Sequence, residues 1–220
     1  MEPTRMSDIE QELHAKIGDA LYPCNAAKGV LARANMELCV VDTMTGGEAV
    51  ATVQSRLTAF GRRGDEDGLI SFIVAFEDQP VSCEHHFDSL LWSFLQRLHE
   101  VDAPLCPWDE RVNRDPNDPE FSFSVGGEAY YLIGLNPRSS RKARQLSVPA
   151  VVFNPHRQFE AFRQRGKYGR LRDTIRANDV RYSGSVNPTL QDFGSASEAM
   201  QYSGEAHEEG WRCPLQIKAA

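Results

Sequence analysis

The strongest hydrophobic pattern runs from Phe87 to Asp102, FDSLLWSFLQRLHEVD, where Phe87, Leu90, Leu91, Phe94, Leu95 and Leu98 recur at three- and four-residue steps. That period is one face of an amphipathic helix. His99 stands at the edge of the face, where its ring either looks into a space beside the core or simply meets the negative end of the helix. LISFIVAF, residues 69–76, is an unbroken apolar, β-branched and aromatic run and predicts a buried strand. FSFSV (121–125) and EAYYLIGL (128–135) flank Gly126-Gly127 and predict a hairpin. Residues 36–42 and 148–153 read as two further strands. Helices are expected over 7–21, with Ser7 as cap and Glu10 completing a capping box, over 48–60, over 156–166 and over 167–180. The last of these turns Tyr168, Leu171 and Ile175 inward.

The charged segment 61–68 reads as a loop. Four prolines between 104 and 119 rule out regular structure there and leave a lid and a plain connection as equal readings. SSRKARQ, 139–145, is a basic loop or short helix. Beyond Arg181 the chain is polar and turn-rich, yet Phe193, Met200, Tyr202 and Trp211 are spaced along it. Such anchors predict an ordered wrap over the domain, with disorder confined to the last five residues. Strands grouped in the middle and helices at both ends predict an α/β (α+β) sandwich. The expectation is a single domain over 1–220, with a central mixed sheet flanked by helices and the 181–220 tail wrapped over it.

A net charge of -7 argues against a general nucleic-acid-binding role. No run of 18 apolar residues suggests a membrane span, and the N-terminus has no apolar secretory core, which points to the cytoplasm. The five cysteines are odd in number and contain no C-x-x-C pair, so a zinc knuckle and a disulfide scaffold are both unexpected. Cys24 and Cys213 each adjoin a proline, in YPC and CPL, and no partner marks either as a nucleophile. Phosphate-loop, dinucleotide-loop, zincin and nucleophile-elbow motifs are absent. His85 and His86 are adjacent, and neighbours on a helix point about 100° apart, so the pair does not suit one ion. Residue chemistry alone reaches a soluble α/β domain with two notable histidines.

LLWSFLQRLHEVDA, FSFSVGGEAYYLIGLNPRSSRKAR, VVFNPHRQFEAFR, GKYGRLRDTIRANDV and NPTLQDFGSASEAMQYSG, together with YPC and WRCPL, resemble the YqcI/YcgG family. The resemblance covers about Tyr22 to Leu215. That family is associated with haem-dependent N-hydroxylation of guanidine groups, in guanitoxin assembly and in the hydroxyurea-forming route to D-cycloserine. The resemblance therefore implies a haem b monooxygenase that uses O₂ and an external electron donor. The implied reaction converts L-arginine to Nω-hydroxy-L-arginine in natural-product biosynthesis of the D-cycloserine type.

His99 matches the family's L-H-[ED]-x-D element and is the first choice as axial haem ligand, because haem needs a greasy wall and one fixed imidazole. His156, in F-N-P-H-x-Q-F-E, is the second choice or the group on the opposite haem face. Cys24 and Cys213 also match family positions and leave a thiolate ligand open. A planar guanidinium pairs with carboxylates, which makes Asp192 and Glu198, in Asp-Phe-Gly-x-x-Ser-Glu, the candidate substrate holders. Otherwise they cap turns, as such residues commonly do. Arg138, Arg141, Lys142 and Arg144 are candidates for haem propionates or the amino acid's carboxylate, or form a solvated loop. The expected partners are an arginine-like small molecule and a separate reductase, with homo-oligomerisation left open. Two rival classes are a haem-binding sensor or carrier without catalysis, and a hydrolase or transferase built on Cys24 or Cys213.

Overall fold

Five strands form one sheet in the computed structural model, which describes residues 4–63, 68–166, 168–185, 187, 194–208 and 210–217. They are β1 (Met36–Val41), β2 (Ser71–Phe76), β3 (Phe123–Val125), β4 (Glu128–Leu135) and β5 (Ala150–Pro155), in the spatial order β1-β2-β5-β4-β3. β1 and β2 pair in parallel, and the remaining neighbours are antiparallel, so the sheet is mixed. β2 lies between β1 and β5 and every residue of it is buried, which explains an apolar run without alternation.

Alternation decides what lies on each side. Phe72, Val74 and Phe76 of β2, with Val151 and Phe153 of β5, point into the larger core. There they meet α3 (Gly47–Gly61) and α4 (Glu84–Asp102) through Val53, Leu57, Phe87, Leu91 and Phe94. Ile73 and Ala75, with Ala150, point to the other face, against Ile9 and Leu13 of α1 (Thr4–Gly18). That second face also carries α2 (Asn25–Ala32), α5 (His156–Gln164) and α6 (Tyr168–Ser183). The α+β sandwich expected from the sequence is the architecture observed.

Several boundaries differ, each for a local reason. α1 ends at Gly18 rather than 21, and Asp19 Oδ1 accepts the Leu21 N–H at 2.8 Å to form the turn that follows. It begins at Thr4, upstream of the expected cap, and the Ser7 side chain lies outside the described residues. α2 was not expected: it is short, and its cap is the unusual Cys24, whose Sγ accepts the Ala27 N–H at 3.4 Å. α4 starts at Glu84, capped by Cys83 Sγ, and Glu84 Oε1 accepts the Ser140 N–H at 2.7 Å, so its first turn is tied down as well as solvated.

The hairpin between β3 and β4 turns on Gly126 and Gly127, both at positive φ. A Cβ at Gly126 would stand 2.8 Å from Thr58 Cα of α3. Gly126→Ala therefore combines left-handed strain with a backbone clash. It should lower stability by about 1–3 kcal/mol in urea unfolding, and an unchanged midpoint would contradict this packing. The proline-rich stretch is packed against the hairpin. Its Trp108 packs on Phe121 and Phe123, and Asp109 Oδ2 accepts the Ala129 N–H at 2.8 Å. The tail is held by Tyr202, Cys213 and Leu215, all in the larger core, whereas Phe193 and residues 218–220 lie outside the described residues.

Candidate functional site

A cavity of about 260 Å³ opens between the second face of the sheet and the helices that cover it. Alternation along β4 and β5 aims Tyr131, Ile133 and Leu135, with Val152 and Asn154, at its floor. Leu13 and Ile17 of α1, Val30 of α2, and Leu171 and Ile175 of α6 complete an apolar wall. The inward set expected for the last helix, Tyr168, Leu171 and Ile175, all line this space. They are only half-buried because a cavity, rather than packed side chains, lies before them.

His156 enters the cavity at the junction of β5 and α5. Pro155 fixes the backbone just before it. In the two residues that follow, Arg157 Nη1 lies 2.7 Å from Glu128 Oε1 and Gln158 Oε1 accepts the Ile70 N–H at 3.0 Å, so the start of α5 is anchored on both sides. The His156 side chain is buried, and that burial, with Arg163 nearby, pushes its pKa down to about 4. At neutral pH it is an uncharged imidazole, the form that ligates a metal.

Glu198 lies on another wall, 3 % exposed, in the 3-10 turn Glu198–Gln201. Ser197 caps this turn and donates to Pro116 O at 2.6 Å. Glu198 Oε1 accepts hydrogen bonds from Ser122 Oγ at 2.6 Å and the Tyr202 hydroxyl at 2.7 Å. Desolvation nonetheless pushes the carboxyl up to about 7. Tyr202, itself fully buried, also accepts the Phe123 N–H, so one phenol joins the cavity wall to the hairpin.

The arginines expected at the ligand divide. Arg141 lines the cavity, but its Nη2 pairs with Asp179 Oδ2 at 2.5 Å, and it donates to Ser185. Arg144 also lines it, with Nη1 and Nη2 donating to the carbonyls of Tyr202 and Gln201, and burial lowers its pKa. Both brace the tail and α6 more directly than they offer charge to a ligand. Arg138 does not line the cavity; its Nε donates to Val81 O near α4. Lys142 lies over the Tyr182 ring. Asp192 falls outside the described residues.

His99, the first choice for a haem ligand, belongs to the opposite face. It is buried on α4, edge-on to Trp108 with ring centroids 5.8 Å apart, and does not line the cavity. Asp102, three residues on, accepts the Gly126 N–H and the Gln54 side chain at 2.8 Å. This histidine–aspartate element therefore locks the hairpin turn to α3 and α4. Of the two cysteines, Cys24 lines the cavity and Cys213 sits in the larger core; burial raises both thiols, the latter to about 12.

Arg163, Arg172 and Arg176, which the sequence did not single out, also line the cavity; Arg163 pairs with Glu160 and Arg172 with Asp173. Their signal was the i, i+4 step from Arg172 to Arg176 beside the inward Tyr168, Leu171 and Ile175.

The profile of the YqcI/YcgG family matches residues 13–216. Over 184 residues, 79% of this chain and 71% of the other, the sequence is 21% identical to the uncharacterized protein YcgG of Bacillus subtilis (strain 168). No solved structure matches.

Proposed function

The chain belongs to the YqcI/YcgG family, and from that premise we propose that it is a haem-dependent monooxygenase that N-hydroxylates a guanidine group, with L-arginine as substrate. The observation that carries this reading is the cavity itself, an apolar chamber with a neutral imidazole on one wall and a buried carboxyl on another. The lining suits a haem by its chemistry: His156 would ligate the iron, the aliphatic floor would lie against the ring, and Arg163, Arg172 and Arg176, which already meet partners within the chain, would pair with propionates. His156 replaces His99 as the preferred ligand, because His99 faces the other core.

When bound, haem supplies O₂ activation with two electrons from an external reductase. One oxygen atom enters the new N–OH bond and the other leaves as water with two protons. The chain's own part is binding and orientation. Among the described residues, the hydrogen bonds to Glu198 both end on Oε1, which leaves Oε2 for a guanidinium N–H. The apolar walls exclude bulk water and strengthen that pairing.

The rival readings fit less well. A carrier has no need of a carboxyl whose burial costs stability, and thiols raised by burial are poor nucleophiles. A cytoplasmic location belongs to this proposal. Among the described residues no helix is long and apolar enough to cross a membrane.

The test is turnover: haem-loaded protein, L-arginine, O₂ and a reductase should yield Nω-hydroxy-L-arginine, and absence of product with every component present would overturn the reading. pH gives a second check. Glu198 must be ionised to hold a guanidinium, so arginine affinity should rise up to about tenfold per unit as pH approaches about 7 from below, then level off. Glu198→Gln should flatten that profile and weaken binding throughout. In the ligand-free protein the sign reverses. The folded state holds its proton up to about 7 and the unfolded state only to its ordinary value, so stability falls across that window. Glu198→Gln should return at most about 3 kcal/mol of stability at pH 8, and a thermal melt that drops instead would contradict the assignment.

A further inference from the structure

On the far side of the sheet from the cavity, the C-terminal strap crosses the start of α4. There Asp88, Glu205 and His207 each present one ligand atom, and the three atoms lie within 4.8 Å of one another. His207 stacks on Trp211 with ring centroids 4.0 Å apart and planes 16° from parallel. Its side chain is only 5 % exposed, and its Nε2 is buried with no hydrogen-bond partner. The nearest carboxylate atom, Asp88 Oδ1, is 3.7 Å away, too far for a hydrogen bond.

That spacing suits an ion between them. Ligands on a tetrahedral dication with bonds of about 2.0–2.2 Å stand about 3.4 Å apart. Trp92 Nε1 donates to the same Asp88 Oδ1 at 3.0 Å and fixes the orientation of the carboxylate, as supporting groups of metal ligands do. On the solvent side, the exposed His85 places Nδ1 3.3 Å from Glu205 Oε1. A groove lined by Asp88, Trp92, Gln96 and Pro214 gives access.

We propose that Asp88, Glu205 and His207 form a binding site for a divalent first-row metal ion of the Zn²⁺ type, which staples the strap to α4. One imidazole and two carboxylates are ordinary ligands for such an ion, and the dication neutralises the two negative charges gathered there. The site is separate from the haem-type cavity, on the other face of the sheet, and its role is structural.

The test is a titration of chelator-treated protein with Co²⁺, read by its visible ligand-field bands, and with Zn²⁺, read by calorimetry and thermal melting. One ion per chain is expected, with a higher melting temperature and a change in tryptophan fluorescence through the stacked Trp211. Glu205→Gln and His207→Ala should each weaken binding at least about tenfold. Glu205→Gln changes a partly exposed side chain and keeps the test open should His207→Ala not fold. No stoichiometric uptake by the unaltered protein, or unchanged uptake by folded Glu205→Gln, would overturn the proposal.

Discussion

Replacing His156 by Ala should give a folded protein that purifies without haem and does not turn over. The residue borders an existing cavity, so losing its ring deletes few core contacts, and the stability cost should stay within about 1–2 kcal/mol. The loss of His156, the one imidazole on the cavity wall among the described residues, should instead cut the Soret absorbance at least about tenfold, because under the proposed function it would hold the iron. His99→Ala is the matched contrast. His99 packs on Trp108 in the α4 layer, so its replacement should lower stability while leaving haem content intact. Should His99→Ala lose the haem while His156→Ala keeps it, the two roles assigned here would be exchanged.

The second large effect is expected at Tyr202. Its ring is fully buried against Trp92, Phe121 and Tyr131, and its hydroxyl bridges Glu198 and the Phe123 N–H. Tyr202→Ala removes an aromatic core side chain and should cost about 3–5 kcal/mol. For a chain of this size that lowers the melting temperature by roughly 6–20 °C. Tyr202→Phe keeps the packing and removes only the hydroxyl. It strands a buried backbone N–H, at about 1–3 kcal/mol, and takes one hydrogen-bond donor from Glu198. Arginine binding at pH 7 should therefore weaken in Tyr202→Phe even where the protein is folded. A melting temperature unchanged in both variants would show that the strap does not anchor there.

Much of the fold was legible because period is a local property. The apolar run of β2, the Gly-Gly turn and the α4 stripe each report their own geometry, and the structure places them as read. α2 escaped because eight residues carry little periodic signal and cysteine is a weak cap. The site was harder for a different reason. Periodicity says that a side chain faces inward, and a two-faced sheet has two interiors. His99 and His156 both lie on buried surfaces, and only the sheet order reveals that the cavity lies on the side of His156. Glu198 was singled out because the guanidine substrate implied by the family resemblance calls for a carboxylate, and the structure sets it on the wall of that cavity, on a turn fixed by Ser197. Arg138 was grouped with Arg141 and Arg144 by sequence proximity, but the turn between β4 and the Lys142–Arg144 segment sends it towards Val81. Arg163, Arg172 and Arg176 became visible once the helix face with Leu171 and Ile175 was known to border open space.

The most direct measurement is the visible absorption spectrum of the protein expressed with haem supplied, before and after addition of L-arginine. A Soret band that shifts when arginine enters the space lined by His156 and Glu198 is the expected result. A colourless protein that also refuses added haemin would contradict it.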